Sequence, residues 1–115
     1  MSNLISFSLA DAATLLAAAA FTIGGLVNAT ARQPIREQFV RYGFPSWWCW
    51  VTAALELMTA VLLVFRPTFL AGVALGTCIM LAAIAAVLRA HEPRHAAPPA
   101  AFLLILLVAA SIQFS

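Results

Sequence analysis

Four long apolar stretches constrain this chain more than any other feature of its sequence. Each is about 18 to 21 residues long, which at the rise of an α-helix spans a hydrocarbon core of about 30 Å. Only 9% of the 115 residues are charged, whereas soluble domains average about 25%. These features predict an all-α fold, a single-domain integral membrane four-helix bundle. We place its helices at residues 12–30, 47–65, 68–88 and 97–114.

The segment between the first two of these helices is expected to form a short interfacial amphipathic helix. From Pro34 the sequence places Ile35, Phe39 and Tyr42 on one helical face and charged residues elsewhere, a pattern typical of a helix that lies in the headgroup region. Three tryptophans follow at positions 47, 48 and 50. They are expected at the membrane–water interface, where amphipathic rings are enriched. We interpret the segment as a membrane-surface anchor, and the alternative is a substrate gate.

Local signals mark the ends of the helices. Ser8 or Asp11 is placed to cap the start of the first helix. Arg66-Pro67 alone separates the second and third helices, which predicts a tight antiparallel hairpin. The first residues lack a basic segment, and we therefore expect no cleaved signal peptide.

The arginines predict the orientation of the chain in the membrane. With four crossings the first and third loops share a side, and they hold five arginines against one on the other side. The positive-inside rule then makes these two loops cytoplasmic and both termini external, in a multi-pass protein of the cell inner membrane. A net charge of +2 with scattered arginines argues against nucleic acid as a partner. The five arginines are Arg32, Arg36, Arg41, Arg89 and Arg94, and the sixth is Arg66.

Glu56 is the residue that most suggests chemistry. It lies about 13 Å into the second helix, near the middle of the bilayer. A carboxylate there costs about 2.5 kcal/mol or more unless it is protonated, paired or hydrated, and it must therefore face the bundle interior. We take Glu56 as the candidate catalytic residue, a proton carrier, acid/base group or ligand anchor. The alternative is a structural glutamate that hydrogen-bonds a neighbouring helix.

Residues at a similar depth are the candidate ligand-binding set. Counting from the same membrane face predicts a direct hydrogen bond from Thr22 to Glu56, with Thr77 behind it. Asn28 is expected to reach Glu56 through water, and Arg89 to extend outward to the interface. The candidate ligand-binding residues are Thr22, Asn28, Thr52, Thr77 and Cys78.

The cysteines and histidines argue against two kinds of site. Cys49 and Cys78 differ in depth by about 10 Å, beyond the ~7 Å limit between α-carbons for a disulfide, and we expect them to be unlinked. His91 and His95 have a metal-like spacing, but Pro93 between them breaks the helix that would aim both rings at one ion. We predict no metal site, and no haem ligand because no histidine lies within a predicted span.

Glycines in two helices predict close approach of their backbones. Gly24-Gly25 lies in the first helix, and Gly72 and Gly76 form a small-residue motif in the third. We interpret the motif as packing within one chain, although a homo-oligomer interface is the alternative.

Six short motifs are spread over nearly the whole chain: Phe21-Thr-Ile-Gly-Gly-Leu26, Tyr42-Gly-Phe-Pro-Ser-Trp47, Ala54-Leu-Glu-Leu57, Met80-Leu-Ala-Ala-Ile84, Glu92-Pro and Ala97-Pro98. Together, and in this order, they resemble the DoxX-like integral membrane proteins. The Gly-Phe-Pro turn followed by a glutamate within a helix is the most specific of them. Members often carry a lysine where Asn28 stands here, and many have a histidine near residues 85–88, which read Ala-Ala-Val-Leu.

The resemblance implies a four-helix membrane bundle and leaves the reaction open. Our first hypothesis is a membrane protein that binds a small hydrophobic molecule, a quinone or a lipid, around Glu56 within a redox or biosynthetic pathway. The second is a proton-coupled exporter of the small multidrug resistance type, although the glutamate of those transporters lies in helix one. The third is a non-catalytic assembly partner. The lipid bilayer is the expected partner in each case, and no cofactor is identified.

Overall fold

The computed structural model of this chain describes residues 9–113, and most of those residues are helical with no strand among them. The all-α prediction is confirmed. Two one-turn 3₁₀ segments, Arg66–Thr68 and Pro93–Ala96, precede the last two helices. The five helices are α1 (Leu9–Ala29), α2 (Gln33–Arg41), α3 (Trp48–Val64), α4 (Phe69–Arg89) and α5 (Ala97–Gln113).

In the described part of the chain, three segments have the length and composition to cross a membrane: Leu9–Ala29, Arg66–Arg89 and Pro93–Gln113. The apolar helix Trp48–Val64 is shorter, at 17 residues. It is shorter than predicted because Trp47 lies in the preceding turn and Phe65 has an extended backbone, with φ −103° and ψ 126°. The lengths and apolar character of these helices are those of a small membrane protein.

The helix ends agree with the sequence predictions to within a few residues, with one correction. Asp11 lies inside α1, two residues after Leu9, and therefore cannot be its N-cap. The alternative cap, Ser8, and the predicted last helical residue, Phe114, lie outside the described residues. The amphipathic helix in the first loop is present as α2, with a proline in its first turn.

The four long helices meet around Gly76. In this arrangement α1 contacts α3 and α5, and α4 contacts the same two helices. A Cβ atom at Gly76 would lie 2.8 Å from Leu106 Cδ2, 3.0 Å from Thr59 Cγ2 and 3.1 Å from Phe21 Cζ. These three side chains are fully buried and come from α5, α3 and α1. The glycine motif of α4 therefore packs within the chain, as predicted.

The first and third loops lie at the same end of the molecule, which we call the loop end. Arg41 at the end of α2 binds Glu92 in the connection between α4 and α5. Arg89 donates a hydrogen bond of 2.9 Å to the carbonyl oxygen of Tyr42, and it therefore lies at the loop end, as expected. At the opposite end Gln113 donates to the hydroxyl of Thr14 at 3.0 Å.

Candidate functional site

A buried carboxyl group lies between α1 and α3. Glu56 is only 5% exposed, and Asn28 Nδ2 donates to its Oε1 atom at 2.7 Å. A Cβ atom at Gly24 would lie 3.2 Å from Oε2 of Glu56 and 3.1 Å from a ring carbon of Phe102. Gly24 thus leaves the space in which the carboxyl group fits. The prediction that Glu56 faces the interior is confirmed.

The predicted partner of Glu56 was wrong. The Thr22 hydroxyl donates to the carbonyl oxygen of Ala18, at 2.8 Å within its own helix, and Asn28 bonds Glu56 directly instead of through water. The reason is that side chains lean toward the N-terminus of their helix. Because α1 and α3 run in opposite directions, Asn28 leans inward and Glu56 leans toward the loop end, and the two side chains meet.

A cavity of about 530 Å³ opens beside Glu56 and extends to the loop end. Its walls are mostly apolar and come from all five helices. Four of the predicted site residues border it: Asn28, Thr52, Glu56 and Cys78. The other two, Thr22 and Thr77, are not among the residues that line it. The cavity therefore places a buried acid at the side of an apolar space.

Aromatic rings line the part of the cavity nearest the loop end. Phe44 stacks on Trp48 with ring centroids 5.8 Å apart and planes 11° apart, and Phe39 meets Phe44 edge to face. Gly43 has φ +96°, a backbone conformation that residues other than glycine rarely adopt. This turn brings Phe44 back toward the helices after α2.

A polar network at the loop end was missed by the sequence reasoning. Glu92 accepts two hydrogen bonds from Arg41, at 2.8 and 3.1 Å, and one from the Tyr42 hydroxyl at 3.3 Å. Nδ1 of His95 lies 2.8 Å from Glu92 and 3.0 Å from the Tyr42 oxygen. One signal was available, because Glu92 is the single acid in a loop predicted to share its side with Arg41.

This network predicts an acid-sensitive contribution to stability. Partial burial of Glu92 opposes its ionisation, but the hydrogen bonds and charge of Arg41, with Tyr42 and His95, outweigh it and hold the pKa of Glu92 below its ordinary value. A group with a lowered folded-state pKa stabilises the fold above its unfolded pKa, and the contribution disappears as pH falls through the folded pKa. The effect should be small, because half of the Arg41 side chain is exposed.

We therefore expect the wild-type protein to lose more thermal stability on acidification than a Glu92→Gln variant does. At neutral pH the variant should be slightly less stable, and at strongly acidic pH the two should converge. Melting temperatures across an acid pH series measure this difference. If the melting temperatures of the two proteins fall by the same amount across the pH series, the prediction is wrong.

The cysteines are both free, with Cys49 buried and Cys78 exposed, and the prediction that they are unlinked is confirmed. His91 follows the end of α4 with a positive φ of 60°, and His95 lies in the next 3₁₀ segment. Residues 9–113 contain no group of three or more His, Cys, Asp or Glu side chains that lie close enough together to bind a metal ion.

Comparison with known proteins gives a match to a protein family. A family model described as the DoxX-like family matches residues 12–110. No curated protein and no solved structure matches the chain. The matched region includes the four long helices almost entirely, the buried carboxyl group and the loop-end network.

Proposed function

Because this chain belongs to the DoxX-like family, we propose that it is a four-helix transmembrane protein that binds a small, mostly apolar molecule beside Glu56. The ligand class is quinone-like or lipid-like, within a redox or biosynthetic pathway. One observation carries the proposal: a buried carboxyl group, with Asn28 as its hydrogen-bond partner, borders a mostly apolar cavity of about 530 Å³.

In this proposal α3 also crosses the bilayer. Its 17 residues extend about 25 Å at helical rise, and a somewhat short span is accommodated at modest cost by local thinning of the bilayer. Its outward side chains Met58, Val61 and Val64 are apolar and exposed, which suits contact with lipid. The helix α2 has no buried residue and would lie in the headgroup region, as its amphipathic pattern predicts.

The chemistry of the site suits a ligand with a polar group on an apolar body. Apolar walls take up the body, and a few placed polar groups select and orient the ligand. The carboxyl of Glu56 accepts a hydrogen bond when ionised and donates one when protonated. Asn28 contributes an amide in place of the lysine that is common in the family, and the hydrogen bond it donates to the carboxyl therefore comes from a neutral group.

Mass spectrometry of small molecules that co-purify with the protein tests this proposal. A molecule retained by the wild type and depleted in a Glu56→Gln variant supports it. If both proteins carry the same molecules in the same amounts, the proposal is wrong.

The exporter and assembly-partner hypotheses remain predictions. An exporter would release a proton from Glu56 as its substrate binds, and proton flux in vesicles on addition of a hydrophobic cation would reveal that activity. An assembly partner would keep its role in the Glu56→Gln variant, because that role does not require the carboxyl group.

The arginine distribution predicts the membrane topology. In a Cys49→Ala/Cys78→Ala background, a cysteine placed by Arg36→Cys should react with an impermeant thiol reagent only after cells are permeabilised, because the first loop is expected to be cytoplasmic. Arg66→Cys, on the exposed α3–α4 hairpin, is the matched control and should react in intact cells. The reverse pattern would contradict the predicted orientation.

A further inference from the structure

The cavity has polar groups at two separate places. Glu56 and Asn28 border it between α1 and α3. Tyr42 and His95 border it at the loop end, where their side chains lie 3.0 Å apart. The lining also includes the polar residues Gln38, Thr52 and Cys78, and most of the other helix residues that line the cavity are apolar, among them Leu55, Ile79, Ala83 and Phe102.

Glu92 determines which ring nitrogen of His95 carries the hydrogen. The pKa of Glu92 lies below its ordinary value, and an ionised carboxylate only accepts hydrogen bonds. Nδ1 of His95, 2.8 Å from Glu92, is therefore the donor. The neutral ring then has Nε2 as its acceptor. Within residues 9–113 the side-chain polar contacts of His95 use Nδ1. With 46% of the side chain exposed, Nε2 is open to water or to a ligand.

The length of α3 gives the separation of the two polar places. Trp48 borders the cavity near the loop end, and Glu56 lies eight residues later on the same helix. Eight residues of α-helix rise roughly 12 Å. Because the Glu56 side chain leans back toward the loop end, its carboxyl group lies on the order of 10 Å from the part of the cavity at the loop end. A single ligand that bridges both places must be elongated.

We propose that His95, oriented by Glu92, is a second binding residue of this cavity, and that the ligand carries a hydroxyl-type donor at each end of an apolar middle. This inference rests on the proposed binding at Glu56. One end hydrogen-bonds the Glu56 carboxyl, and the other donates to Nε2 of His95. The aromatic and aliphatic walls hold the middle. A ligand with one polar end would not use the His95 acceptor.

Straight-chain alkanediols with a hydroxyl at each end test this proposal against 1-alkanols of the same length. Calorimetric titration of the full-length protein in lipid nanodiscs measures the affinities of the diol and of the matched alkanol. The ratio of these two affinities is followed as the alkyl chain of the probes is lengthened. At the length that bridges both places, the diol should bind roughly two- to tenfold more tightly than its matched alkanol, the effect of one added hydrogen bond. Shorter diols should show no advantage.

Variants at the loop end separate a binding role from a structural one. His95→Ala should remove the advantage of the diol, so that the diol binds this variant no more tightly than the matched 1-alkanol does. Glu92→Gln should reduce the advantage, because the ring loses the carboxylate that orients it. His91→Ala, at an exposed histidine that does not line the cavity, is the matched control and should preserve it.

The outcomes distinguish this inference from the proposed function. If both probes bind but the diol has no advantage at any length, or keeps it in His95→Ala, the second binding residue is refuted and binding at Glu56 stands. If neither probe binds the wild-type protein, both proposals are overturned.

Discussion

Replacing Glu56 with glutamine is expected to weaken ligand binding by about tenfold or more while the helices stay folded. The amide has nearly the same shape and keeps an oxygen that accepts the 2.7 Å hydrogen bond from Asn28. It cannot carry charge or release a proton, and hydrogen bonds to charged groups contribute about 1 kcal/mol or more beyond neutral ones. Any acid/base activity at this residue should disappear completely in the variant.

Binding and stability must be measured side by side to interpret this variant. Titration with a 1-alkanol gives the loss of affinity, and the melting temperature of the same preparation shows whether the fold is intact. Thr22→Val is the matched control, because Thr22 hydrogen-bonds within α1 and does not line the cavity. It should bind normally. Unchanged binding together with unchanged stability in Glu56→Gln would show that the glutamate is structural.

Replacing Gly76 with valine is expected to destabilise the fold by about 1–3 kcal/mol or more. Even the first added carbon would lie within about 3 Å of side chains from α5, α3 and α1. Leu106, Thr59 and Phe21 are fully buried and have little space to move into. The helices would therefore have to separate where all four meet. Thermal unfolding of the purified protein measures the loss.

A valine on the outer side of the same helix isolates the packing effect. Ala74 lies two residues before Gly76 and is exposed, and Ala74→Val should leave the melting temperature nearly unchanged. Valine replaces glycine in one variant and alanine in the other, and helix propensity alone therefore favours Gly76→Val. A larger loss of stability in Gly76→Val than in Ala74→Val must then come from packing. Equal stabilities for the two variants would contradict the packing at Gly76.

The contacts of Glu56 show how far sequence reasoning reached into the site. Its depth and its inward direction were predictable, because a carboxylate facing lipid is costly. Its partner was not, because residue counting along two helices ignores the direction in which their side chains lean. That lean brings Asn28 to Glu56 and leaves Thr22 bonded within its own helix.

The loop-end network was beyond sequence reasoning for another reason. Arg41 and Glu92 are 51 positions apart, and several arginines were available to pair with a single loop acid. The contact depends on how α2 is set against the α4–α5 connection. Charge pattern restricts such pairs to one side of the molecule but does not select among them.

The sequence by itself determined that this chain is helical and suited to a membrane, where its helices run, and that Glu56 points inward. These properties follow from apolar length and from the cost of charge in lipid, and both act on each segment separately. The tertiary structure decided the Asn28–Glu56 pair, the loop-end network and the cavity of about 530 Å³. These features depend on how far each helix is shifted along its neighbours and how far apart the helices lie. A cavity is the space that the packed helices leave unfilled.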